Sequence, residues 1–226
     1  MFRFLILLGC LCSSVAVFAQ FEGELALEPP GCQAQGQCTL KDKLRFTDAQ
    51  GVVWEARAGL PTDGASIPGF FQPFVGQPFE QQFIKAAVIH DHYCDRHVRP
   101  WRVTHKVFYE GLVNQGVPEG KAKLMYYAVY LGGPKWVELV PGNQCGGNCI
   151  NNITLKSGKP RINFRVADYG LFNMTEELRG VEALLAANPD AISIEQLEAM
   201  ARAKRPNDYY FRNGDRVVIN DGMLTE

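Results

Sequence analysis

Apolar positions in the middle of the chain recur at helical spacing. Phe83, Ala87, His90 and Cys94 stand 4, 3 and 4 residues apart, with Ile84 and Val88 beside them, and predict a helix from Phe79 to about His97. Trp101, His105, Phe108 and Leu112 repeat the same 4, 3, 4 pattern, and Gly116 ends that run. A third helix is expected to open at Val117-Pro118-Glu119 and to run through Leu124, Met125, Ala128 and Leu131 to Gly132-Gly133. The break at Val98–Pro100 makes the first two helices an antiparallel hairpin.

On the N-terminal side the pattern is that of short strands. Residues 21–27 alternate weakly, and 43–48 and 52–58 flank Asp48-Ala49-Gln50-Gly51, a hairpin signal. Leu60 to Phe74 is punctuated by Pro and Gly and reads as a loop. After Pro141 the chain turns rich in Gly and Asn until about residue 163. Two amphipathic helices are expected at Thr175–Ala187 and Ser193–Lys204, the second opened by the capping box Ser193-Ile194-Glu195-Gln196. Asn213-Gly214, between Tyr209-Tyr210-Phe211 and Val217-Val218-Ile219, predicts a final hairpin. The expected fold class is α+β. A small antiparallel β part packs on a helical hairpin and a third helix, and an α-rich C-terminal extension ends in a short hairpin.

Three segments follow: 1–19 as a signal peptide, 20–137 as the core, and 138–226 as the extension. Arg3 precedes the apolar run Leu5–Val17, and Val17-Phe18-Ala19 fits a small-x-small cleavage site. The run is short for a bilayer span, which takes about 20 apolar residues. Leu7-Leu8-Gly9-Cys10 offers a lipoprotein alternative that ranks second. No later segment reads as membrane-spanning. A periplasmic or secreted protein is expected. The charge balance, 23 basic against 24 acidic residues, gives no basic excess for nucleic acid to recognise. In an oxidising compartment Cys32–Cys38 and Cys145–Cys149 are the simplest disulfides, with cross-pairing or a four-thiolate zinc site as alternatives. Cys94 is left over, read as a small buried hydrophobe with a ligand role still open because it follows His90 by one helical turn.

All four histidines fall between residues 90 and 105. His is the commonest transition-metal ligand and the usual general base near neutral pH. His90 and His105 occupy slots that the apolar spacing assigns to the inner faces of their helices, so the two imidazoles are expected to meet. Asp91 lies about 100° further round its helix, at an edge where it reaches a cation. His92, Asp95 and His97 fall nearer the polar side. Asp63, in Thr62-Asp63-Gly64-Ala65-Ser66-Ile67-Pro68, either binds a cation or orients a His from the loop, or caps its own turn.

The segments Gly59-Leu60-Pro61-Thr62-Asp63-Gly64-Ala65-Ser66-Ile67-Pro68 and Ala86-Ala87-Val88-Ile89-His90-Asp91-His92-Tyr93 resemble an uncharacterised domain family of phages and bacteria. Its members carry a Thr-Asp-Gly-Ala-Ser-Ile/Val-Pro loop, then a helix with Ala-Ala-x-x-His-Asp-x-x-Tyr and a helix with Asp-x-x-Phe. The resemblance covers roughly residues 40–135 and implies that Asp63, His90 and Asp91 are signature positions. Tyr93 falls one position early, and His105 stands where the family implies Asp, which favours metal binding over a His–Asp dyad. A looser likeness, in mechanism only, is to secreted phospholipase A2, where a His-Asp pair on one helix works with calcium.

The function these signals favour is a secreted or periplasmic hydrolase of an envelope substrate, peptidoglycan or phospholipid. His90, Asp91 and His105 are its expected catalytic residues, and Asp63, His90, Asp91 and His105 the expected ligands of zinc or calcium. The alternatives are a non-catalytic envelope or phage-derived protein in which the His-Asp pair is a buried clasp, and a binder of a partner protein through an exposed apolar patch.

Overall fold

The computed structural model describes residues 19–65, 67–69, 71–141, 161–170 and 173–219. The expected signal peptide up to Phe18, the lipoprotein alternative at Cys10 and the Cys145–Cys149 pair lie outside the described residues.

Strands β1 (Gln20–Glu22), β2 (Leu27–Glu28), β3 (Cys38–Leu40), β4 (Leu44–Thr47), β5 (Val53–Ala56) and β6 (Pro61–Thr62) form two three-stranded antiparallel sheets, ordered β1-β4-β5 and β2-β3-β6. The β4–β5 hairpin forms where Asp48 signalled it. Its Oδ1 accepts from the Gln50 and Val52 amides at 3.0 and 2.8 Å, and its Oδ2 accepts from Trp54 Nε1 at 2.8 Å. The carboxylate is therefore buried but saturated with donors. Opposed pairs Leu44–Ala56 and Phe46–Trp54 turn one face inward. The expected Cys32–Cys38 disulfide closes the loop before β3.

Four helices follow: α1 (Gln72–Val75), α2 (Ile84–Arg96), α3 (Trp101–Asn114) and α4 (Glu119–Gly132). Helix α2 starts at Ile84 rather than Phe79, because Glu80 folds back to accept from the Gln77 amide at 3.0 Å and holds 77–83 in turns. The far end of α3 then caps it. Gln115 Oε1 accepts from the Ala86 amide at 2.8 Å, and Gln115 Nε2 donates to the Gln81 carbonyl at 3.0 Å. The two helices touch at Gly111, where a Cβ would stand 2.9 Å from Ala86 Cβ. Helix α2 is buried almost all round: Ile84, Val88 and Tyr93 face the β4–β5 sheet, while Ala87 and Cys94 face the helical core.

Beyond α4 come β7 (Lys135–Pro141), β8 (Arg161–Arg165), α5 (Met174–Ala187), α6 (Ile194–Lys204), α7 (Tyr209–Arg212) and β9 (Arg216–Ile219). Helices α5 and α6 pack on α4, with Leu178, Leu185 and Leu197 in the same buried cluster as Leu131. The Ser193 capping box is formed in full. The expected terminal hairpin takes another form. Asp208 Oδ1 accepts from the Tyr210 and Phe211 amides and starts the helical turn α7, and β9 pairs parallel with β7 instead. A strong Asn-Gly turn signal was outweighed by a side-chain cap five residues before it. Strand β7 also pairs antiparallel with β8, and the fold class is α+β with an α-rich C-terminal part. Among the described residues no helix is long and apolar enough to cross a membrane.

Candidate functional site

The α2–α3 hairpin brings His90 and His105 together as their spacing predicts. His90 Nε2 and His105 Nδ1 lie 2.8 Å apart. His105 is fully buried beside Trp101 and Trp136, and its Nε2 is 3.0 Å from the Pro134 carbonyl. A carbonyl only accepts, so His105 carries its proton on Nε2 and offers a lone pair at Nδ1. His90 must then donate from Nε2. Its other nitrogen, Nδ1, faces Asp91 Oδ1 at 3.2 Å. The result is a directed chain from Asp91 through His90 and His105 to Pro134, with one proton held between His90 Nδ1 and the Asp91 carboxyl.

The surroundings set the charge. Burial, then the neighbouring His90, holds His105 well below the usual imidazole range, against a smaller upward pull from Pro134. His105 is neutral at pH 7. Enclosure pushes the Asp91 carboxyl up, against the downward pull of His90. Burial also raises the Cys94 thiol well above its ordinary value, so it stays protonated unless a cation replaces the proton.

A cavity of about 720 Å³ opens on this chain. His90, Asp91 and Cys94 line it, and His105 sits behind them. The Thr62–Ala65 loop forms part of the wall. Thr62 Oγ1 accepts from the Gly64 amide at 3.1 Å, and the Ala65 amide donates to Pro78 at 2.9 Å. Gly64 has φ +87°, and a Cβ there would sit 2.6 Å from the Pro78 carbonyl oxygen, so the turn requires glycine. Asp63 is thereby set on the exposed side of the same cavity, near enough to raise Asp91 further. Glu28 and Asp95 complete an acidic lining, and among the described residues no Lys or Arg lines it.

His92 is placed differently from its expected polar side. It is buried, 4% exposed, with Nε2 3.2 Å from Arg96 Nη1, because α2 is sandwiched between sheet and helices and has almost no polar face. His97 ends α2 in the left-handed region at φ 52° and packs against Trp136 with ring centroids 4.8 Å apart and planes tilted by 54°, away from the cavity. Two further participants emerge, one read first as packing with a ligand role open and one not foreseen. Cys94 Sγ lies 3.4 Å from His90 Nε2, and the one-turn spacing from His90 was the signal for it. Tyr169 enters the cavity wall from the C-terminal part with no sequence signal.

Residues 38–129, which hold Asp63, His90, Asp91 and His105, match the family described as "Protein of unknown function (DUF1353)". The uncharacterized protein y4iH of Sinorhizobium fredii (strain NBRC 101917 / NGR234) is 41% identical over 169 residues, covering 74% of this chain and 71% of that protein. The chain belongs to the DUF1353 family. A second relative from the same organism, the uncharacterized protein y4jT, is 39% identical over 122 residues, which is 52% of this chain and 36% of y4jT. No solved structure matches. The DUF1353 match starts at Cys38 and stops inside α4, so Glu28, Pro134 and Tyr169 reach the cavity from outside it.

Proposed function

We propose that the chain is a hydrolase of the cell envelope that activates water where His90 and Asp91 meet the cavity. The observation that carries the reading is the hydrogen-bonded chain from Asp91 to Pro134, opening at one end on a space large enough for a substrate. Water at that end meets a carboxyl raised by enclosure and an imidazole whose tautomer is fixed from behind; once the proton they share has passed to solvent, the pair takes one from the attacking water, which is general-base chemistry. The acidic lining disfavours a phosphate-bearing substrate, so peptidoglycan is favoured over phospholipid. The Cys32–Cys38 disulfide is compatible with an oxidising compartment, which is where the signal peptide expected over residues 1–19 would direct the chain.

The test is release of soluble fragments from purified peptidoglycan, run beside fatty-acid release from phospholipid vesicles. Peptidoglycan turnover that falls about 100-fold in Asp91→Asn, with the fold retained, supports the proposal. Equal, background-level release by wild type and variant overturns it. The second reading, a structural clasp, is favoured by one observation: His105 is sealed, with both nitrogens hydrogen-bonded. A clasp predicts no turnover and a marked loss of stability in His105→Ala.

A further inference from the structure

We infer that His90, Cys94 and His105 form a zinc-class metal site, with His90 Nε2, His105 Nδ1 and Cys94 Sγ as ligands and one position left open toward the cavity. The inference deepens the proposed hydrolase and rests on that reading only for what the ion would do, since the site itself is argued from geometry.

The three donor atoms lie within 4.8 Å of one another, with His90 Nε2 2.8 Å from His105 Nδ1 and 3.4 Å from Cys94 Sγ. Tetrahedral zinc, bonded at about 2.0–2.1 Å to nitrogen and 2.3 Å to sulfur, separates such donors by about 3.4–3.6 Å. The rings therefore part by roughly half an ångström when an ion replaces the proton between them.

The outer partners are those a metal requires. A metal-bound His donates its other N–H to a carboxylate or a backbone carbonyl, which fixes its tautomer and orientation. Both acceptors are in place: Asp91 Oδ1 for His90 Nδ1 and the Pro134 carbonyl for His105 Nε2. His105 already presents a lone pair inward. His90 needs only to lose the Nε2 proton and keep the one it shares with Asp91. Cys94 loses its thiol proton, so each ion bound releases two protons. Asp91 thus orients His90 through its Nδ1 proton and does not ligate the ion.

Two imidazole nitrogens and a thiolate suit zinc and make calcium, which takes oxygen ligands, a poor fit. His90 and Cys94 line the cavity while His105 lies behind, so the remaining vertex faces the cavity side. Among the described residues Cys94 is the cysteine outside the Cys32–Cys38 disulfide, and the site gives its thiol a role.

The experiment is metal titration of the full chain after chelator treatment, with zinc by elemental analysis and with cobalt(II) by absorption. The expected result is one ion per chain and two protons released. The cobalt form should show a sulfur-to-metal charge-transfer band and tetrahedral ligand-field bands. Cys94→Ala should lose the sulfur band, and Asp91→Asn should weaken binding about 10–100-fold. No stoichiometric ion, or a cobalt spectrum without sulfur, overturns the inference. The wild-type spectrum decides even if a variant does not fold. Metal bound with no peptidoglycan cleavage sinks the hydrolase and leaves the site. Cleavage by a chain that takes up no metal sinks the site and leaves the hydrolase.

Discussion

Lys135 is fully buried, its Nζ donating to the Leu131 and Gly133 carbonyls and lying over the Trp101 and Phe211 rings. Burial holds its ammonium well below the usual range. The unfolded chain therefore keeps a proton that the folded chain sheds, from that lowered pKa up to about 10.4. Stability should climb with pH through this window, by as much as about 1.4 kcal/mol per unit, until the buried Tyr126 and Tyr127 phenols, which resist ionisation, reverse the trend above about pH 10. Urea unfolding at pH 8.0 and 9.5 checks it: Lys135→Met should remove most of the climb, and an unchanged slope in the variant would refute the assignment. Nothing in the sequence marked this lysine as buried, since its partners are backbone carbonyls. The same blindness applied to Pro134, whose carbonyl sets the tautomer of His105. What the spacing did carry was the convergence of His90 and His105, because both lie on regular helices where position fixes direction. Cys94 stood on the same face, but its size made it look like packing.

Helices α2 and α3 owe their close approach to Gly111. Gly111→Ala forces a methyl against Ala86, at a cost of about 1–3 kcal/mol that helix propensity offsets by less than about 1. The variant should lose stability and also weaken cobalt binding, because parting the helices parts the imidazoles. Ser193→Ala is the matching control. It removes the capping box of α6, costs about 1 kcal/mol by thermal or urea unfolding, and should leave cobalt binding untouched. The contrast is lost if both variants bind cobalt alike. The elements read correctly from sequence were those with local signals: the Asp48 hairpin, α3, α4, α5 and α6. The last strand was misassigned a partner because parallel pairing with β7 is a long-range choice, and Asp208 acts as a cap only once its own loop is built.

Across the whole molecule, the C-terminal part contributes to the core that α4 also lines. Tyr126 and Tyr127 donate to Glu198 and Glu177 at 2.7 and 2.6 Å. A chain ended after Val137 should expose that face, bind a hydrophobic dye and lose cooperative unfolding; a sharp thermal transition in the truncated chain would disprove it. Acid stability depends on the same region. Burial lifts the Asp208 carboxyl, but Arg165, 2.6 Å away, pulls it further down by hydrogen bond and charge, so its net position is low. That stabilisation is complete above the unfolded value of about 3.9 and is lost as pH falls toward the folded one. Asp208→Asn should flatten the acid limb of a stability–pH curve below about pH 4, and an unaltered limb would count against the pair. The placement of Tyr169 has a consequence of its own. The groups that would do chemistry sit in one contiguous stretch, whereas part of the enclosure around them is supplied by a later, separate length of chain. Exchanging that later length between relatives should therefore retune which molecules are admitted while the reactive centre stays as it was.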